Sequence, residues 1–163
     1  MDIAITGHRP KDLGRIGRDV IMAHTMTLIR RANERWPGET ITLHTGAAIG
    51  VDLWVAEAAI AAGVRNHLHP PLKDPAIYAQ RGWTIADADL LKKITGLSDV
   101  VCQTCPRPVA PEYQRRNEHM VDSSRLVIAF WTGKRSGGTY NCIQYAKRMD
   151  VPVLNALDGF RRI

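Results

Sequence analysis

Short β-branched, apolar runs alternate along this chain with longer stretches in which apolar residues recur every three or four positions. The first kind reads as buried strands, the second as helices with one face turned to a core. Strands are expected at 2–6 (DIAIT), 40–43, 64–69, 99–103, 126–131 and 151–155. Between them the spacing predicts helices over 15–36, 51–62, 79–95, 112–123 and 138–149. Pro37-Gly38, Gly63 and Gly96 stand as stops for the first three. The run LVIAFW is the most continuously apolar, as suits a strand covered on both faces. Regular strand–helix alternation implies right-handed crossovers and parallel pairing. The fold class is therefore α/β: a Rossmann-like three-layer sandwich with a mostly parallel central sheet. The 163 residues suit one domain over 1–163.

In open sheets of this kind, ligands bind beyond the carboxyl ends of the strands, where the strand order reverses. Three of the segments expected at that edge are poor in side chains. The first strand runs into Gly7-His8-Arg9, and the second into Gly46-Ala47-Ala48-Ile49-Gly50 with Asp52 two residues on. The fifth runs into Ser136-Gly137-Gly138-Thr139. A bare turn leading into a helix lets backbone N–H groups approach a phosphate, with the helix dipole adding attraction. Asp52 is placed either to accept from ribose hydroxyls or simply to stabilise a helix start. Gly133-Lys134 lacks the Walker A spacing, and no GxGxxG is present, so neither standard nucleotide loop is expected.

Charge and composition refine the picture. A net charge of +6 suits an anionic partner without naming it. No apolar stretch approaches the ~20 residues of a membrane span. The opening MDIAIT reads as strand rather than leader peptide, so a cytoplasmic location and no membrane partner are expected. Three cysteines without an export signal read as reduced thiols. Cys102 and Cys105 form a CxxC, but Pro106 and Pro108 resist a helix there, and no second CxxC or HxxxH supplies further ligands. His67 and His69, on one strand face, read as a surface edge. No metal site and no cofactor are expected. Trp54 and Trp83, inside amphipathic segments, read as core or subunit interface.

The blocks ITGHRP (5–10), TGAAIGVDLWVAEAA (45–59), YQRRNEHMVDSSRLVIAFW (113–131) and SGGTYNCIQYA (136–146) resemble the SLOG superfamily. That Rossmann-like group unites DprA DNA-processing proteins with LOG phosphoribohydrolases. The likeness is strongest to its small YpsA-like bacterial and phage branch. The resemblance implies a pocket for a nucleotide or an ADP-ribose-type ligand. It places Arg116 and Met120 on the R-x-x-x-M motif of LOG enzymes, which cleave the N-glycosidic bond of nucleoside 5′-monophosphates. The same comparison puts Cys142 where those enzymes carry a glutamate, which favours binding, sensing or sequestration over hydrolysis. If hydrolysis does occur, Arg116 with Asp52 and Asp122 are the candidate catalytic groups. Asp122 equally reads as a helix-end surface residue. Arg9 and Arg116 would supply charge, Asn117 a polar contact, and Tyr113 and Trp131 a surface for a base. The family further implies a homo-oligomer. Single-stranded DNA binding, as in DprA, ranks last because no aromatic-and-basic interleaved stretch is present.

Overall fold

The computed structural model describes residues 1–70, 83–102 and 110–158. Six strands, β1 (Asp2–Gly7), β2 (Thr42–Thr45), β3 (Arg65–Leu68), β4 (Val100–Val101), β5 (Leu126–Phe130) and β6 (Val153–Asn155), form one all-parallel sheet ordered β4-β3-β2-β1-β5-β6. The helices between them are α1 (Arg18–Arg35), α2 (Val51–Ala61), α3 (Ile85–Leu97), α4 (Ala110–Asp122) and α5 (Gly138–Arg148). The α/β class and parallel sheet expected from the sequence are what the chain forms.

Alternation along the strands sorts the helices into two layers. Ile3 and Ile5 of β1, with Ile128 and Phe130 of β5, pack under Ile21 and Ile29 of α1 and Val51 and Val55 of α2. Ala4 and Val127 face the other way, onto Met120 and Val121 of α4 and Cys142 and Ala146 of α5. Leu91 and Ile94 of α3 close a third cluster with Leu53 and Leu68. The period-two pattern of the strands thus positions all five helices.

Two element boundaries moved for identifiable reasons. β2 sits at Thr42–Thr45, later than the expected 40–43, because its register pairs Asp2 with Thr42 and Ile5 with Thr45. His44 and Thr45 read as a polar loop start in the sequence but are buried within the sheet. α3 begins at Ile85 behind a capping box, Thr84 and Asp87 each accepting from the other's backbone N–H. It continues through Gly96, so that glycine does not stop it; the expected start at 79 lies outside the described residues.

The order of strands reverses beside β1. The chain steps outward from β1 through β2 and β3 to β4, then returns to β5 on the opposite side of β1. The space above the carboxyl ends of β1 and β5 is the switch point at which such sheets bind ligands.

Candidate functional site

A cleft of ≈ 480 Å³ opens at that point, within the range of small-ligand sites. Its walls come from the turn after β1 (Gly7, His8, Arg9), the start of α2 (Ala48, Ile49, Asp52), α4 (Tyr113, Gln114, Arg116, Asn117) and the turn into α5 (Ser136 to Thr139, with Asn141). Trp83, Lys11, Asp12 and Lys134 complete the rim. The three glycine-bearing segments do converge.

The glycines do not all serve the same purpose. A Cβ on Gly46 would lie 2.5 Å from Arg116 Nη1 and 2.6 Å from Asp52 Oδ2. Gly46 is bare because two buried, oppositely charged side chains close over it, and Arg116 Nη1 donates to its carbonyl. Gly50 has φ +95°, and a Cβ there would meet the His8 carbonyl oxygen at 2.9 Å, so it locks α2 against the β1 turn. Neither Gly46, Ala47 nor Gly50 lines the cleft; Ala48 does. The Gly46–Gly50 loop is therefore folded largely against protein, and of its five residues only Ala48 and Ile49 line the cleft.

Gly137 and Gly138 behave differently. Gly137 adopts φ +86°, which favours glycine, and a Cβ on it would meet nothing. A Cβ on Gly138 would reach only Asn117 Nδ2, at 3.9 Å. Among the described residues no side chain caps the first turn of α5, and Gly137, Gly138 and Thr139 line the cleft at the positive end of the helix dipole.

Electrostatically the cleft is mixed but net positive. Arg9, Lys11, Arg116 and Lys134 stand against Asp12 and Asp52. Lys134 Nζ is held 2.8 Å from Asp12 Oδ1. Arg116 is aimed by two bonds, to the Gly46 carbonyl and from Nε to Asn117 Oδ1 at 3.1 Å. Asn117 Nδ2 in turn donates to the Gly138 carbonyl at 3.3 Å, linking α4 to the α5 turn. Asp52 Oδ2 accepts from the Ala48 N–H at 3.3 Å, while buried Oδ1 has no hydrogen-bond partner among the described residues. Burial pushes the Asp52 carboxyl up to about 6, against the opposing pull of Arg116 and the Ala48 amide. His8 Nε2 is likewise buried without a partner, and burial lowers the ring's pKa.

Two further expected site residues, beyond Gly46, Ala47 and Gly50, lie outside the cleft. Asp122 Oδ1 accepts from Tyr145 Oη at 2.9 Å on the exposed end of α4, where it acts as the surface residue its alternative reading proposed. Trp131 stacks beside Tyr140 with ring centroids 6.4 Å apart and donates from Nε1 to the Lys134 carbonyl, so it braces the loop. In the other direction, Trp83, read as core or interface, lines the cleft. So do Lys11 and Asp12, which lie outside the quoted blocks, and Gln114 and Asn141, which fall inside them without being singled out.

No protein-family model matches the chain. Among curated proteins it is 27% identical over 120 residues to the uncharacterized SPbeta prophage-derived protein YoqJ of Bacillus subtilis (strain 168), covering 64% of this chain and 68% of that one. Among solved structures it superposes on DNA processing protein A (DprA) of Streptococcus pneumoniae with TM-score 0.67 and 19% identity, covering 99% of this chain and 54% of that one. DNA processing protein A of Helicobacter pylori, studied for its single-stranded DNA binding mode, gives 0.63 at 18% identity, over 94% and 63%. The molybdenum cofactor binding protein of Rippkaea orientalis gives 0.54 at 23%, over 93% and 73%. The chain shares the α/β, Rossmann-like fold of these structures. It spans little more than half of the two DprA chains, so what those whole proteins do is not carried across with the fold. Along α4 the R-x-x-x-M pattern divides as the helix dictates: Arg116 turns into the cleft while Met120 packs in the core beside Cys142.

Proposed function

We propose that the cleft binds a phosphorylated nucleotide or ADP-ribose-type ligand, and that the protein senses or sequesters it. The observation that carries this reading is the uncapped, glycine-bare start of α5 facing open cleft beside Arg116. It offers convergent N–H donors and a fixed guanidinium, the combination that suits phosphate. Asp52 and His8 hold unpartnered polar atoms within reach of the sugar or base, and Tyr113 and Trp83 supply aromatic surface. A homo-oligomer belongs to the same proposal.

A second reading, nucleotide N-glycoside hydrolysis, draws support from Asp52 alone. A buried carboxyl held near 6 is suited to general acid–base work. Cys142 cannot stand in for a glutamate, because it is fully buried and its thiol is pushed up to about 12. Asp12 is occupied by Lys134. One free carboxyl falls short of the pair that glycoside hydrolysis ordinarily uses.

The test is a thermal-shift panel with nucleoside monophosphates, ADP-ribose, NAD and a short single-stranded DNA, followed by chromatography of each stabilising compound. A stabilising nucleotide recovered intact supports binding. Free base in the incubation establishes hydrolysis instead. Stabilisation by DNA alone, weakening steeply with salt, overturns the small-ligand reading.

A further inference from the structure

Away from the cleft, the carboxyl ends of β3 and β4 carry a second constellation that the nucleotide reading does not use. We propose that His69, Cys102 and His119 form a binding site for a zinc-type divalent cation, tying the sheet edge to α4.

One ligand atom from each residue lies within 4.8 Å of the others. Cys102 Sγ and His119 Nε2 are 3.6 Å apart. Zinc bonds of about 2.3 Å to sulfur and 2.0–2.1 Å to nitrogen, spread at tetrahedral angles, put a sulfur and a nitrogen about 3.6 Å apart. That edge of the coordination polyhedron is already formed. The other two, each within 4.8 Å, need closing by at most about 1.5 Å, which the exposed His119 side chain on α4 permits.

Two of the three ligands are fixed by backbone. Cys102 N–H donates to the Leu68 carbonyl at 2.8 Å and His69 N–H to the Thr45 carbonyl at 2.8 Å, extending the β-ladder past the strands that carry them. His69, expected at a surface edge, is 2% exposed. Its Nε2 lies 3.2 Å from His44 Nδ1, and His44 Nε2 lies 3.2 Å from Asp2 Oδ1. A chain of N–H donors from His69 through His44 to the Asp2 carboxylate satisfies every one of these atoms. It leaves His69 Nδ1 as a lone pair, and that nitrogen is buried with no hydrogen-bond partner among the described residues. A carboxylate–histidine chain behind a ligating imidazole is the usual outer shell of a metal site, setting the tautomer and aiming the ring.

Two imidazoles and one thiolate are borderline-soft donors, which select zinc-like ions over magnesium or calcium. The site has a structural use. β4 is a two-residue edge strand with both valines exposed, and a cation would bind its end to β3 and to the helix carrying Arg116. The sequence pattern did not expose it because the ligands come from three separated segments rather than from paired CxxC or HxxxH units.

The test is spectroscopic. The full chain, stripped with chelator, is titrated with Co2+ as probe and then with Zn2+. One equivalent of Co2+ is expected to give thiolate charge-transfer absorption and the visible bands of a tetrahedral ion, both removed by Zn2+. Cys102→Ser should abolish the charge-transfer band, and His119→Ala should weaken Co2+ binding at least ~10-fold. Far-ultraviolet circular dichroism, matching wild type without metal, shows that each variant still folds. Absence of a charge-transfer band overturns the proposal, as does a band that survives in Cys102→Ser. Wild-type affinity in His119→Ala does so too. Nucleotide binding by the stripped chain would leave the cleft reading standing whatever the metal result.

Discussion

Asp52 is the residue on which the cleft's chemistry turns. Its carboxyl is held near 6 by burial, so the folded chain keeps that proton more tightly than the unfolded chain does. Its contribution to stability is therefore largest in acid and is lost as pH rises from the ordinary carboxylate range through about 6, by roughly 3 kcal/mol. Denaturant unfolding of wild type and Asp52→Asn across this range should show wild type losing stability relative to the variant on that scale as pH rises. Binding should move the same way. Neutralising Asp52 makes the cleft more positive, so a pyrophosphate-linked ligand, whose own charge does not change there, should bind tighter below pH 6, a dependence absent in Asp52→Asn. Glycines give a second contrast. Gly46→Ala forces a methyl group between buried Arg116 and Asp52 and should destabilise by about 2 kcal/mol. Gly138→Ala meets no protein atom closer than 3.9 Å and should leave stability within about 0.5 kcal/mol while weakening phosphate binding ~10-fold or more, read by calorimetry.

At the scale of elements, the sheet was legible because its signal is local. Ile3, Ile5, Val127 and Phe130 alternate or run apolar by themselves, and the helices between carry the complementary spacing. Phe130, fully buried between β5 and the α1–α2 layer, is expected to cost about 3–5 kcal/mol on Phe130→Ala, measured by urea midpoint. What the sequence hid was mostly non-local. β2 slid toward His44 and Thr45 because pairing with β1, not their polarity, decides whether they sit in the sheet. Trp83 joined the cleft, and Asp122 left it, through positions that only the packed helices define. The glycine loop after β2 drew attention correctly but for half the reason, since Arg116 reaches Gly46 from seventy residues away.

For the whole molecule, the expectation of one domain over 1–163 has a direct check. Far-ultraviolet circular dichroism and tryptophan fluorescence should report the same unfolding midpoint. Trp36 and Trp54 pack on the α1–α2 cluster, whereas Trp131 sits by β6 on the far side of β1, so fluorescence samples both halves of the sheet. The strand order carries a last consequence, for synthesis. β1 is made before the other strands of its sheet, yet one of its two edges is covered only by β5, where Ile3 pairs with Leu126 far along the sequence. Until then a nascent chain presents the apolar run Ile3–Ala4–Ile5 on an open edge able to recruit other strands. Fragments ending before β5 should collect in inclusion bodies, and extending them through β5 should restore soluble protein. A sheet built around the earliest of its strands stays vulnerable until β5 has followed.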